Sequence, residues 1–371
     1  MNNVQLQHRV VISFRALPLL GQKLRSLSSP PSAMATLTPP PTAVHIDLWP
    51  ILSESKRIIN AHSRHFLALS VLFLLPLSFS FSAYPFIDKL FSQSSPPSIE
   101  SHFSFLYNPF QLQKPPIFPI KYIFTLLYSL FVFIFSLLAT GSITCSVFHG
   151  FYGRPVKFVS AIKSSFTTFF PLLSTCLVTE LILSGILVIL GLIFLGLLKL
   201  TQVLGFQVNY SSTYFLSLCL FFLITFMFIV LYLQVKWAFA YVVVVVESSW
   251  GLEPLKRSKN LVRGLKRVAF SILLFFGFFS GILTWVSAAG WGNVASDKWK
   301  NWAFILHIVL TSALFMSLML SYLAASTVFY MYSKAIHGEL AWEIAEEFAR
   351  EYVSLPFDDE KVPHVVSVVN G

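Results

Sequence analysis

The sequence predicts an all-α polytopic membrane bundle of about six transmembrane helices, with amphipathic helices at its cytoplasmic face, and three observations predict it. Hydrophobic residues make up 56% of the chain and charged residues 11%, with mean hydropathy +0.72. A water-soluble surface needs roughly a quarter charged residues, so this balance excludes an ordinary soluble domain. Six apolar runs are each long enough to cross about 30 Å of hydrocarbon at about 1.5 Å per residue. The loops between them alternate between rich and poor in Lys and Arg, the pattern that orients a chain in a bilayer.

The first 46 residues carry Arg9, Arg15, Lys23 and Arg25, several serines and no acid before Asp47. That composition fits a plastid or mitochondrial transit peptide. A competing reading is an extended gene model, with translation starting at Met34 ahead of a Pro/Thr-rich linker. On either reading this segment is expected to be disordered and to lie outside the fold. The membrane domain is placed at 47–335, with spans at 66–87, 122–148, 169–198, 214–246, 268–289 and 302–330. Pro76 and a Ser-rich end should kink or shorten the first span. The fourth run is too long for one perpendicular crossing, so it should tilt or project its Val-rich end into the interface. Residues 336–371 form a cytoplasmic acidic helix and tail.

Basic residues fix the orientation. Lys56, Arg57 and Arg64 precede the first span, and Arg154, Lys157 and Lys163 lie between the second and third. Lys256, Arg257, Lys259, Arg263, Lys266 and Arg267 lie between the fourth and fifth. The opposite loops are poorer, with Lys89, Lys114 and Lys121 in one and Lys298 and Lys300 in another. Both termini should therefore face the cytoplasm, in an endomembrane or the plasma membrane, unless a transit peptide directs the chain to an organelle. The Lys and Arg flank apolar runs and are not pooled on a soluble domain, so the partner implied by the net charge of +10 is anionic lipid headgroups and not nucleic acid. The Asn209-Tyr210-Ser211 sequon should sit too near the membrane for glycan transfer.

Three basic segments share a plan: WPILSESKRIINAHSRHF, RPVKFVSAIKSSF and EPLKRSKNLVRGLKRVAF each begin at a proline (Pro50, Pro155, Pro254) and lead into a pair of spans. Proline suits the first turn of a helix, where its missing N–H is unpaired anyway. At about 100° per residue, Leu255, Ser258, Leu261, Val262 and Leu265 share one face and Lys256, Lys259, Arg263, Lys266 and Arg267 the other. Val159, Ile162 and Phe166 oppose Lys157, Ser160 and Ser164 in the same way. Such helices are expected in the headgroup plane, where each cation contributes about 1 kcal/mol. The competing reading is ordinary linkers with positive-inside charge. A last amphipathic segment, 339–352, opposes Ala341, Ile344, Ala345, Phe348 and Tyr352 to Glu339, Glu343, Glu346 and Arg350. It either docks on the basic helices or lies solvated.

The stretch YLQVKWAFAYVVVVVESSWGLEPLKRSKNLVRGLKRVAF resembles a pattern in a plant family of uncharacterised multi-pass transmembrane proteins. The matching positions are Trp237, Glu247, Gly251, Leu255, Lys256, Ser258, Leu261, Gly264 and Lys266. A weaker likeness, through the Glu, Gly and Arg-Ser elements, reaches the bacterial membrane domain that accompanies glycerophosphodiester phosphodiesterases. The resemblance implies a membrane fold and carries no catalytic residue.

Intramembrane titratable and polar groups are few: Glu180, Lys236, Gln234, His149 and His307. Spans three and four run antiparallel through a short loop, so Glu180 and Lys236 can meet at similar depth and pair, offsetting an insertion cost of roughly 2.5–3.5 kcal/mol each. That pair would be a substrate or proton site, or a structural one; alternatively Lys236 snorkels to the interface. Cys145, Cys176 and Cys219 lie in apolar runs without zinc spacing and read as packing residues. His149 and His307 lie near opposite edges, so no metal or cofactor is expected. Trp285, Trp291, Trp299 and Trp302 form an interfacial belt. Small residues such as Gly185, Gly191, Gly277, Ala324, Ala325 and Ser326 permit close helix contact. The sequence thus favours a structural or scaffolding membrane protein over a transporter or lipid carrier using Glu180 and Lys236, and both over a membrane-bound lipid enzyme.

Overall fold

In the computed structural model, residues 47–94, 120–154, 157–203, 213–289 and 302–341 are described, and among them the chain is helical with no strand. Among these described residues, six segments are long and apolar enough to cross a membrane: Ser63–Tyr84, Tyr122–Phe151, Phe158–Val203, Phe215–Glu247, Lys266–Ala288 and Trp302–Ile336. The protein is therefore an all-α bundle with six membrane-crossing candidates, as composition and periodicity predict. The N-terminal 46 residues, the 209–211 sequon, Trp291 and Trp299 lie outside the described residues, as does most of the acidic segment 339–352.

Helix α1 (Leu48–Ala61) buries Ile51, Glu54, Ser55 and Ile58, with Pro50 in its first turn. That face packs on the last membrane helix and on the second, so it is covered by protein. The first span is α2 (Ser63–Leu69), a π-helical turn (Ser70–Leu74) and α3 (Leu75–Ser94). Pro76 has no N–H to give the carbonyl one turn earlier, and the helix widens just before it, with Leu75 N–H donating to Ser70 O.

Helix α4 (Ile120–Phe151) and helix α5 (Phe158–Val203) pack against each other more extensively than any other two helices among the described residues. Gly141 makes the contact possible, because a Cβ there would lie 2.7 Å from Thr168 Oγ1 and 3.3 Å from Ser165 Cα. Ser165 Oγ donates to the Leu138 carbonyl at 2.6 Å across the same crossing. The separate surface helix expected after Pro155 is not formed. No Gly or Pro interrupts 158–170, so α5 runs 46 residues through Pro171, about 69 Å at about 1.5 Å per residue.

The fourth run is also not one rod. It divides into α6 (Thr213–Lys236) and α7 (Ala240–Glu247), with a turn at 237–239. Helix α8 (Glu253–Leu261) carries Pro254 in its first turn, and α9 (Lys266–Ala289) and α10 (Trp302–Ile336) complete the bundle. The single basic helix expected through Arg267 ends instead at Leu261. Gly264 takes φ +92°, a conformation open to glycine without a Cβ penalty, and α9 restarts at Lys266.

The core sits at the basic end. Phe66, Leu69, Ile143, Val147, Phe239, Val243, Leu261 and the α10 stretch through Val328, Phe329, Tyr330 and Met331 are buried together. Ala324 and Ala325 are fully buried, which lets α10 approach its neighbours closely. Farther from that end, Leu181, Leu192 and Val203 of α5 and Leu216, Phe221 and Phe228 of α6 are exposed, an outward apolar surface suited to hydrocarbon.

Candidate functional site

The break in the fourth span creates two backbone groups without helical partners, and one side chain satisfies both. Ser258 Oγ donates to the Lys236 carbonyl at 3.0 Å and accepts from Phe239 N–H at 3.0 Å. A hydroxyl has one hydrogen to give and lone pairs to receive, so it replaces the missing helical rung from both sides. Phe239 is buried there against Phe329, with ring centroids 4.6 Å apart.

Helix α7 ends at Glu247 because Ser248 turns left-handed, at φ 53°. Gly251 follows at φ +73°, and its N–H donates to Thr175 Oγ1 of α5 at 3.1 Å. Thr175 in turn donates to the Pro171 carbonyl at 3.0 Å. These turns aim the Glu247 carboxylate back between α8 and α10. Arg257 Nε lies 3.3 Å from Glu247 Oε1 and 3.2 Å from Oε2. Tyr330 OH donates to Glu247 Oε1 at 2.7 Å, and Lys334 Nζ lies 3.8 Å from the same oxygen. The rest of the Arg257 fork goes to Glu339, with Nη1 donating to Oε1 at 3.0 Å and Nη2 to Oε2. Lys334, 2% exposed, also stands 5.5 Å from the Tyr330 ring centroid, and Ser333 Oγ donates to the Leu261 carbonyl at 2.7 Å.

Two carboxylates and two cations thus compensate one another within a partly dry cluster. Burial alone would disfavour the Arg257 charge, but the bonds to Glu339 and the charge of Glu247 outweigh it and hold the guanidinium pKa above its ordinary value. Around the cluster, Leu255, Ser258, Leu261, Val262 and Leu265 are buried, while Lys256, Lys259, Arg263, Lys266 and Arg267 are exposed. Trp237 and Gly251 are half-buried, and Gly264 is exposed in its turn.

Glu180 and Lys236 are not brought together. Lys236 Nζ stands 4.1 Å from the Tyr232 ring centroid, whereas Glu180 is exposed on α5 near Tyr241 and Cys176. Among the described residues no ion pair joins them. The pairing expected from depth fails because the break after Lys236 turns the α6 end toward Ser258 of α8. His149 Nδ1 lies 2.8 Å from the Cys145 carbonyl one turn earlier, the three cysteines are free thiols, and among the described residues no three His, Cys, Asp or Glu converge as metal ligands do. Trp285 and Trp302 are exposed.

A family model, described as a domain of unknown function (DUF8558), matches residues 45–361, and so spans every element of this bundle. The chain belongs to DUF8558. No curated protein matches this DUF8558 chain, and no solved structure does. Sequence reasoning named Glu247 and Ser258 in this member but did not assign Arg257, Tyr330, Lys334, Glu339 or Thr175 to one cluster. A local signal existed: Tyr330 and Lys334 stand four apart on one face of an apolar helix, where a hydroxyl and a cation need a partner.

Proposed function

We propose that this protein is a structural or scaffolding component of an endomembrane, with both termini cytoplasmic and its basic end held against anionic headgroups. The observation that carries this reading is the Glu247 cluster. Its bonds tie α7, α8 and α10 into one unit, which presents Lys256 and Lys259 outward beside Arg263 of the following turn and Lys266 and Arg267 at the start of α9. A fixed array of cations beside a leaflet attracts anionic lipid at about 1 kcal/mol each, without any reaction at the site. The plant-family resemblance at residues 237–266 agrees with a membrane role and adds no substrate.

Reconstituted vesicles test it. With a fluorescent anionic lipid at self-quenching density, the wild-type protein should cluster the probe, and the Lys256→Gln, Lys259→Gln, Arg263→Gln variant should lose most of that effect. Equal clustering by both would overturn the platform reading. Cysteine accessibility across 177–183 and 231–241 addresses transport: labelling by a membrane-impermeant thiol reagent deep within both stretches would favour a hydrated path and remove the scaffold reading.

A further inference from the structure

Away from that cluster, a shallow, open apolar groove of about 730 Å³ runs along the outer face of the first span. Along the helix its lining runs from Arg64 through Leu67, Val71 and Leu72 to Pro76, with Phe158 of α5 beside them. Its shape follows from the sequence. The helix widens into a π-helical turn just before Pro76, and Val71 and Leu72 of that turn are exposed. From Arg64 to Pro76 is about 18 Å at about 1.5 Å per residue, close to one leaflet of an about 30 Å hydrocarbon layer.

The charge at the mouth is complementary to one class of occupant. Arg64 is exposed and makes no hydrogen bond or ion pair among the described residues, and Lys157 beside Phe158 is exposed as well. Among the described residues no carboxylate lines the groove. A guanidinium binds phosphate oxygens through paired N–H donors, while the wall below offers only apolar surface. We propose that this groove is a binding site for an anionic glycerophospholipid of the adjacent leaflet, its phosphate on Arg64 and one acyl chain lying along Leu67, Val71 and Leu72 toward Pro76. The site depends on the membrane-crossing helices and not on the scaffold reading of the Glu247 cluster.

The test uses the full-length protein in lipid nanodiscs containing an anionic glycerophospholipid with a photoactivatable diazirine at mid-chain, and maps cross-linked peptides by mass spectrometry. Labelling should concentrate on the peptides carrying residues 64–76 and Phe158. Arg64→Gln should reduce it about fivefold, the discrimination that one cation contributes at a membrane surface. Leu72→Trp, which fills an exposed position of the wall, should reduce it without touching the charge, and Lys199→Gln, on the far end of α5, should not change it. A probe with a choline headgroup should label these peptides less. Equal labelling by the two probes, unchanged labelling in Arg64→Gln and Leu72→Trp, or labels spread over all six spans would overturn the proposal.

Discussion

The Tyr330 hydroxyl donates to Glu247 Oε1 at 2.7 Å, joining residues 83 apart in sequence. Tyr330 is fully buried, so its O–H has no water to fall back on, and Glu247 shares its charge with Arg257 and Lys334. Tyr330→Phe should lower the unfolding free energy by about 1.5 kcal/mol, the low end for a bond to a charged group. Glu247→Gln should cost more, about 3 kcal/mol, because it leaves Lys334 without that compensating charge in a site of which the carboxylate is itself about a quarter exposed. Thermal unfolding in one detergent checks both. The double variant should lose less than the sum; strict additivity would mean that the two side chains are not energetically coupled.

Ser258 should be the most sensitive serine of the bundle. Ser258→Ala strips the partner from Phe239 N–H and the Lys236 carbonyl together, at a wholly buried position. The expected loss is about 2–3 kcal/mol. Ser129→Ala is the comparison: that hydroxyl bonds its own helical turn on an exposed face, and the change should stay within about 0.5 kcal/mol. Hydrogen exchange sharpens the test, since the Phe239 amide should lose protection in Ser258→Ala while amides in α4 keep theirs. Unchanged protection at Phe239 would remove the bridging role.

What was legible in the sequence divides along the range of the forces involved. Hydropathy and charge act over one helix length, so the six spans and the alternation of basic loops can be read from runs such as 122–148 and from Lys256 to Arg267. The break at 237–239 cannot. Trp-Ala-Phe contains no helix breaker, and the turn is stabilised by a serine some 20 residues on, in another segment. The same holds for the Glu247 cluster, whose members come from α7, α8 and α10, with Glu339 three residues past the end of α10. In the sequence Arg257 reads as one more basic-loop residue beside Lys256 and Lys259, and only the packing of α10 distinguishes it. The missed continuity of α5 is a local error: without Gly or Pro before Pro171, propagation was the cheaper course for the backbone.

Gly141 and Gly185 should respond oppositely to the same substitution. An alanine at 141 would place its Cβ against Thr168 Oγ1 and the Ser165 backbone, and Thr168 is already committed to the Ser164 carbonyl at 2.9 Å. The helices must separate, so Gly141→Ala should cost about 1–3 kcal/mol. Nothing lies within 4 Å of a Cβ at 185, so Gly185→Ala should be neutral or slightly stabilising through helix propensity. Comparing the two melting temperatures checks the α4–α5 crossing; equal shifts would mean that the helices are not in contact at Gly141.

Glu180 and Lys236 give the last expectation, and it reverses the one that depth alone suggests. A paired Glu and Lys in the membrane would make Lys236→Leu costly and let Glu180→Leu restore the folded yield, because the second change would remove the carboxylate left unpaired. The structure gives them different surroundings, Lys236 over the Tyr232 ring and Glu180 near Tyr241 and Cys176. Residues without shared partners usually act additively within about 0.5 kcal/mol. The double variant should therefore show the sum of the single effects in folded yield and melting temperature. Tyr232→Leu should weaken the effect of Lys236→Leu, since it removes the ring the ammonium rests on. Rescue of Lys236→Leu by Glu180→Leu would instead require the two charges to meet, and the end of α6 would then have to turn toward α5.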